Sequence, residues 1–119
     1  GMVTPSPLPY QRHYAKVLPK VSKLFRKGRD CHFVDVGSAP GGLCRYLIKD
    51  LVWSGRAFSL SEREGGFKMM YRGGERLKFT RFDVGTPDGW KNLLGKLGEE
   101  AEGDQYLKFD FVNLGVTLQ

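Results

Sequence analysis

The stretch Phe33-Val34-Asp35-Val36-Gly37-Ser38-Ala39-Pro40-Gly41-Gly42-Leu43 decides how this chain is read: an apolar run passes through one acid into a glycine-rich turn and then into helical sequence. The apolar residues suit a strand buried on both faces of a parallel sheet. Gly37 permits a sharp exit turn, and Gly41 and Gly42 leave room for backbone to approach a ligand where a Cβ would collide. The following helix would aim free N–H groups at the same point, favouring a carboxylate or another anion. Asp35 at the strand end would receive an ammonium or a hydroxyl. The glycine spacing does not fit the G-x-G-x-x-G dinucleotide pattern, which disfavours a nicotinamide-dependent oxidoreductase, and no G-x-x-x-x-G-K-[ST] phosphate loop occurs.

Outward from this loop, strand-like and helix-like segments alternate. Leu43, Cys44, Leu47, Ile48, Leu51 and Val52 predict an amphipathic helix, ended by Gly55 in the left-handed position. Strands are predicted over 56–60, 77–82 and 106–114. A helix opens at Thr86-Pro87, carries Trp90, Leu93, Leu94 and Leu97, and closes at Gly98. Residues 67–71 read as a short helix and 99–105 as an acidic loop. On the N-terminal side, Tyr14, Val17, Leu18, Val21, Leu24 and Phe25 recur at three- and four-residue spacing. Pro19 should split or kink that helix. The proline-rich residues 4–9 read as an extended or disordered lead-in. This alternation predicts an α/β fold with a mostly parallel sheet and helices on both faces. One domain is expected over 10–119, after a lead-in over 1–9 in which Gly1 before Met2 reads as a tag-cleavage scar. Doubly wound sheets usually need a longer chain than 119 residues, so a truncated sheet is expected.

Composition excludes several classes. With 40% hydrophobic and 27% charged residues, the chain reads as globular, with no apolar run long enough for a membrane span and no signal-peptide pattern. An intracellular location is expected. Cys31 and Cys44 flank the glycine turn without C-x-x-C spacing, so they read as core thiols and no metal site is expected. The net charge of +6 is uneven: seven basic residues and no acid lie between Arg12 and Arg29. Lys16, Lys20, Lys23 and Lys27 share a helical rhythm and, with Arg12, read as an RNA-binding face, although an ordinary solvated helix face has the same pattern.

The string Asp35-Val36-Gly37-Ser38-Ala39-Pro40-Gly41-Gly42 resembles the first S-adenosylmethionine motif of the FtsJ family, the RNA 2′-O-ribose methyltransferases that act on ribosomal and cap RNA. The resemblance implies a Rossmann-like methyltransferase fold, S-adenosylmethionine as cofactor and RNA as partner. It places Asp35, Gly37, Ser38, Pro40, Gly41, Gly42 and Leu43 against the cofactor, with Leu43 where the family usually has tryptophan. At the other strand ends, Ser61 falls where the family has aspartate. Glu62 would hold ribose hydroxyls, cap a helix or stand in solvent, and Asp83 matches the adenine-side aspartate or serves as a turn residue. Lys16, or alternatively Lys20, falls near the first lysine of the family's Lys-Asp-Lys-Glu catalytic set. The aspartate position falls on Gly115, which would border the cofactor, or with a slip in register on Asn113.

That chemistry needs a lysine kept neutral enough to deprotonate a ribose hydroxyl, tuned by a neighbouring carboxylate. Neither glycine nor asparagine supplies one, and the remaining lysine and glutamate would lie on strands beyond Gln119. Two functions therefore stand. The chain is the cofactor-binding part of an RNA methyltransferase domain, or it is a degenerate domain that binds RNA or a protein partner and catalyses nothing.

Overall fold

β1, His32–Val36, forms from the apolar run and lies inside the sheet. The structure, a computed structural model, describes residues 3–27, 30–82, 88–89, 91–93, 95, 97–98 and 109–115. Among the described residues, β2 (Ser54–Leu60), β3 (Leu77–Phe82) and β4 (Phe111–Leu114) complete a four-stranded sheet in the order β3-β2-β1-β4, with every pairing parallel. Because β1 has a neighbour on each side and a core on each face, nearly all of it is buried. Phe33 joins one cluster with Cys31, Cys44, Leu47 and Trp53, while Val34 and Val36 join Phe58 and Leu93 on the opposite face. The chain is thus an α/β protein with packing on both sides of a parallel sheet.

α1 is a single helix, Leu8–Val21, where the sequence predicts an extended or disordered lead-in over 4–9 and a split or kink at Pro19. The Ser6 hydroxyl accepts a hydrogen bond from the Leu8 N–H at 3.2 Å, and Pro9 sits in the first turn, where its missing N–H costs nothing. Pro19 falls in the last turn, so too few residues follow it to form a second helix, and the element ends at Val21. Leu24 and Phe25 lie beyond the helix yet still reach the core. The Phe25 ring stacks on Trp53 with centroids 5.6 Å apart and meets Phe111 edge-on at 5.0 Å. Ending the helix at Val21 also breaks up the lysine stripe. Lys16 and Lys20 are helical, Lys23 and Lys27 belong to the turns that follow, and Arg29 lies outside the described residues.

The helix after the loop begins as α2, Gly42–Arg45, and widens into a π-type turn over Tyr46–Asp50. The Leu51 N–H donates to the Tyr46 carbonyl, five residues back, at 3.2 Å. Val52, rather than Gly55, takes the left-handed conformation that ends this helix, with φ at +63°. Gly55 instead belongs to β2, opposite Phe33. A Cβ there would stand 2.4 Å from the Phe33 ring, so the glycine gives that ring room to lie across the neighbouring strand. Residues 67–71 are not helical. Short 3-10 turns form at Glu62–Glu64 and Gly74–Arg76, and an extended strap over 66–73 crosses the glycine loop between them. Beyond β3, the described residues from 88 to 98 are helical, and Leu93 packs under the sheet. Asp83, Thr86, Pro87 and the expected strand residues 106–108 lie outside the described residues.

A β-branched residue in the left-handed region carries strain on the order of 1–3 kcal/mol. Val52 is held there by its surroundings: its carbonyl accepts from Arg76 Nη1 at 2.9 Å. Its side chain is exposed, so Val52→Gly should remove the strain without opening a cavity. Urea denaturation is expected to show a gain of about 1 kcal/mol, reduced by the glycine's extra unfolded-state entropy. A loss of stability would mean that the turn is not strained.

Candidate functional site

The turn from Gly37 to Pro40 is fastened to β2 rather than left free. The Gly37 and Ser38 N–H groups both donate to the Phe58 carbonyl, at 2.7 and 3.0 Å. The Ser59 hydroxyl accepts from the Ala39 N–H at 2.7 Å and lies 3.2 Å from the Ser38 hydroxyl. Ser59 is buried and inward-facing, and the sequence reading passed over it. A serine in the middle of an apolar strand was the available signal, since a buried hydroxyl needs partners. From the other side, the Met70 N–H of the strap donates to the Pro40 carbonyl at 3.0 Å.

The glycines after this turn serve packing. Gly41 has φ at +110°, and a Cβ on it would meet the Tyr71 side chain at 2.9 Å. A Cβ on Gly42 would stand 2.3 Å from the Tyr10 Cβ and 2.7 Å from the Pro7 carbonyl oxygen. The space expected for a ligand at these two positions is filled by the strap and by the start of α1.

Asp35 is the buried acid of the site, with 1% of its surface exposed. It stands opposite Asn113 in the β1–β4 register, and the Asn113 amide donates to its Oδ1 at 2.9 Å. The Cys44 thiol from α2 donates to Oδ2 at 3.5 Å. Burial pushes the Asp35 carboxyl above its usual range, and these two hydrogen bonds pull it back. Cys44 is raised well above an ordinary thiol by burial and by the adjacent carboxylate, so it stays protonated and donates. The β1–β4 register also separates the two candidates for the fourth strand end: Asn113 carries the side chain beside Asp35, while Gly115 lies just past β4, its N–H donating to the Val36 carbonyl at 2.7 Å.

With β2 and β3 on one side of β1 and β4 on the other, sheet growth reverses at β1, and open parallel sheets take ligands in the crevice at such a reversal. A cleft of about 190 Å³ lies there. Asp35, Gly37, Ser38, Pro40, Gly42, Leu43 and Gly115 line it, as does Asn113, the alternative at the fourth strand end, together with Ala39, Phe67, Tyr10 and Tyr14, which the sequence does not predict as site residues. The two tyrosines stand one turn apart on α1, which the Gln11 side chain ties to the neighbouring helix through Arg45 and Asp50. The Tyr14 phenol is raised above its usual range by burial, then by Asp35 and Tyr10, so it remains neutral.

Other predicted residues are elsewhere. Lys16 is exposed and does not line the cleft, because two residues along a helix from Tyr14 is close to its opposite side. Lys20, its alternative, and Arg12 are likewise exposed. Gly41 and Ser61 are absent from the cleft lining. Glu62 turns outward and pairs with Arg81 at 3.4 Å. Among the described residues there is no group of acids, histidines and cysteines able to hold a metal, and no helix long and apolar enough to cross a membrane. Compared with models of protein families, with curated proteins and with solved structures, the chain matches none.

A carboxyl raised on folding means that the folded state binds its proton more tightly than the unfolded chain does. Its contribution to stability is therefore greatest in acid and declines as pH rises from about 3.9 through the raised value. Asp35→Asn keeps an acceptor for Asn113 and removes the titration. Denaturant unfolding at successive pH values should show the variant gaining on the parent across that window and then levelling. A difference independent of pH would show that Asp35 does not titrate as its burial requires.

Proposed function

We propose that this chain is the cofactor-binding part of an S-adenosylmethionine-dependent RNA 2′-O-ribose methyltransferase domain with a Rossmann-like fold. One observation carries the reading: the loop that resembles the FtsJ motif borders the cleft at the sheet's switch point, with a buried acid at its base. S-adenosylmethionine brings an ammonium on its zwitterionic amino-acid end and a positively charged sulfonium that carries the electrophilic methyl. The cleft suits such a cation. Among the described residues Asp35 is the only acid lining it and no lysine or arginine does, and the Tyr10 and Tyr14 rings supply aromatic surface of the kind that cations favour. At about 190 Å³ the cleft is smaller than the roughly 300–1,000 Å³ typical of small-molecule sites, so it fits one end of the cofactor.

The protein's part is positioning. The Ser59 hydroxyl and the Phe58 carbonyl fix the turn, and Asn113 and Cys44 fix the Asp35 carboxylate. Base catalysis is a different matter, since Lys16 is exposed away from the cleft and the residue beside Asp35 is an amide. That same observation favours the second reading, a degenerate domain that binds RNA or a protein partner and catalyses nothing. RNA as the partner rests on the basic run from Arg12 to Lys27.

Calorimetric titration tests the proposal. S-adenosylmethionine should bind in preference to NAD, and Asp35→Asn should weaken it about ten- to a hundredfold, the worth of a hydrogen bond to a charged group. Transfer of labelled methyl groups to RNA by this chain alone should stay near background, because a missing positioned base typically costs about 10²–10⁴ in rate. Equal or tighter binding of NAD would sink the cofactor assignment.

A further inference from the structure

The strap over 66–73 separates two spaces. Phe67 faces the switch-point cleft, whereas from Lys68 onward the strap walls a second pocket of about 460 Å³ above β3. That volume falls within the roughly 300–1,000 Å³ typical of small-molecule sites. Leu77 and Phe79, alternate residues of β3, supply apolar surface, and Tyr71 adds an aromatic ring from the strap. The Arg81 guanidinium lies over the Phe79 ring, 5.1 Å from its centroid. Two contacts keep it there: it donates to the Leu60 carbonyl and pairs with Glu62. Lys68 and Arg72 stand exposed at the rim, and among the described residues neither has an ion-pair partner. Among the described lining residues Glu62 offsets one of three cations, which leaves them net positive over a floor of flat surfaces.

We propose that this pocket binds a nucleoside phosphate, either a free nucleotide or one residue of a single RNA strand. Bases stack on aromatic rings and on guanidinium planes, which Tyr71 and the held Arg81 provide. Lys68 and Arg72 receive the phosphate. An acidic peptide would satisfy the rim but leave the planar floor unused, and the cationic S-adenosylmethionine would be repelled by the rim. The pocket stands apart from the cofactor reading: S-adenosylmethionine binding can fail while nucleotide binding holds, and the reverse.

Calorimetry on the full chain with AMP, adenosine, inorganic phosphate and octauridylate separates the outcomes. AMP should bind at least about tenfold more tightly than adenosine or phosphate alone, since it engages both halves of the site. Tighter binding of octauridylate than of AMP identifies an RNA strand as the occupant; equal or weaker binding identifies the free nucleotide. The double variant Lys68→Glu/Arg72→Glu, confined to exposed side chains, should weaken both at least about tenfold and leave S-adenosylmethionine affinity unchanged. Tyr71→Leu, with its fold verified by circular dichroism, should weaken AMP and leave phosphate unchanged. The proposal is overturned if neither AMP nor octauridylate binds, if phosphate or a polyglutamate peptide binds as tightly as AMP, or if the charge-reversed variant keeps its affinity. Loss of S-adenosylmethionine binding in that variant would equally overturn it, because the pocket would then belong to the cofactor.

Discussion

A carboxylate on an inner strand of a parallel sheet is shielded from bulk solvent, so Asp35, with 1% of its surface exposed, depends on donors brought by other elements. One is the Asn113 amide, which reaches it only because β4 pairs with β1 in the register that sets Asn113 opposite Asp35. The other is the Cys44 thiol, delivered by α2 as it leaves the glycine turn. An unpaired buried charge would cost more than the roughly 1–3 kcal/mol of an unsatisfied neutral group. The sheet order, the start of α2 and the cleft between β1 and β4 are thus linked through one side chain. The same burial raises its pKa, so the feature that makes the cleft suited to a cation also lowers stability as the acid ionises.

Close approach is the second organising constraint. The Phe33 ring lies over Gly55, the strap lies on Gly41, and the first turn of α1 lies on Gly42. In each case a Cβ would fall within 3 Å of its neighbour. The glycine-rich signature therefore lets protein close in on the loop, and the surface of the cleft comes from the turn and the start of α2, from Asp35 of β1, and from residues of α1, the strap and the β4 end. α1 presents Tyr10 and Tyr14 to the cleft and leaves its lysines in solvent, which keeps their charge out of it. Positive charge instead gathers beyond the strap, around Lys68, Arg72 and Arg81. Two adjoining spaces of opposite electrostatic character follow from one extended segment running between them.

The sequence by itself determined the α/β class, because strand-like apolar runs alternating with helical periodicity have few other solutions. It also located β1, β3 and the glycine turn, and it placed Asp35 at the cleft, since these rest on local pattern and on the steric demands of single residues. Several local signals were outweighed. Gly55 was needed against Phe33, so Val52 took the left-handed turn. Pro19 came too late in α1 to split it, and the apolar residues of 67–71 were spent covering Gly41 rather than forming a helix. The site partners Asn113, Ser59, Tyr10 and Tyr14 lie far from the loop in sequence or on another element, so only the strand register and the docking of α1 could bring them to Asp35 and to the turn. For the same reason Lys16 and Glu62, plausible by spacing along the chain, are not at the cleft: the tertiary fold decides which side of a helix faces the sheet and which way a strand end turns, and neither is a local property of the sequence.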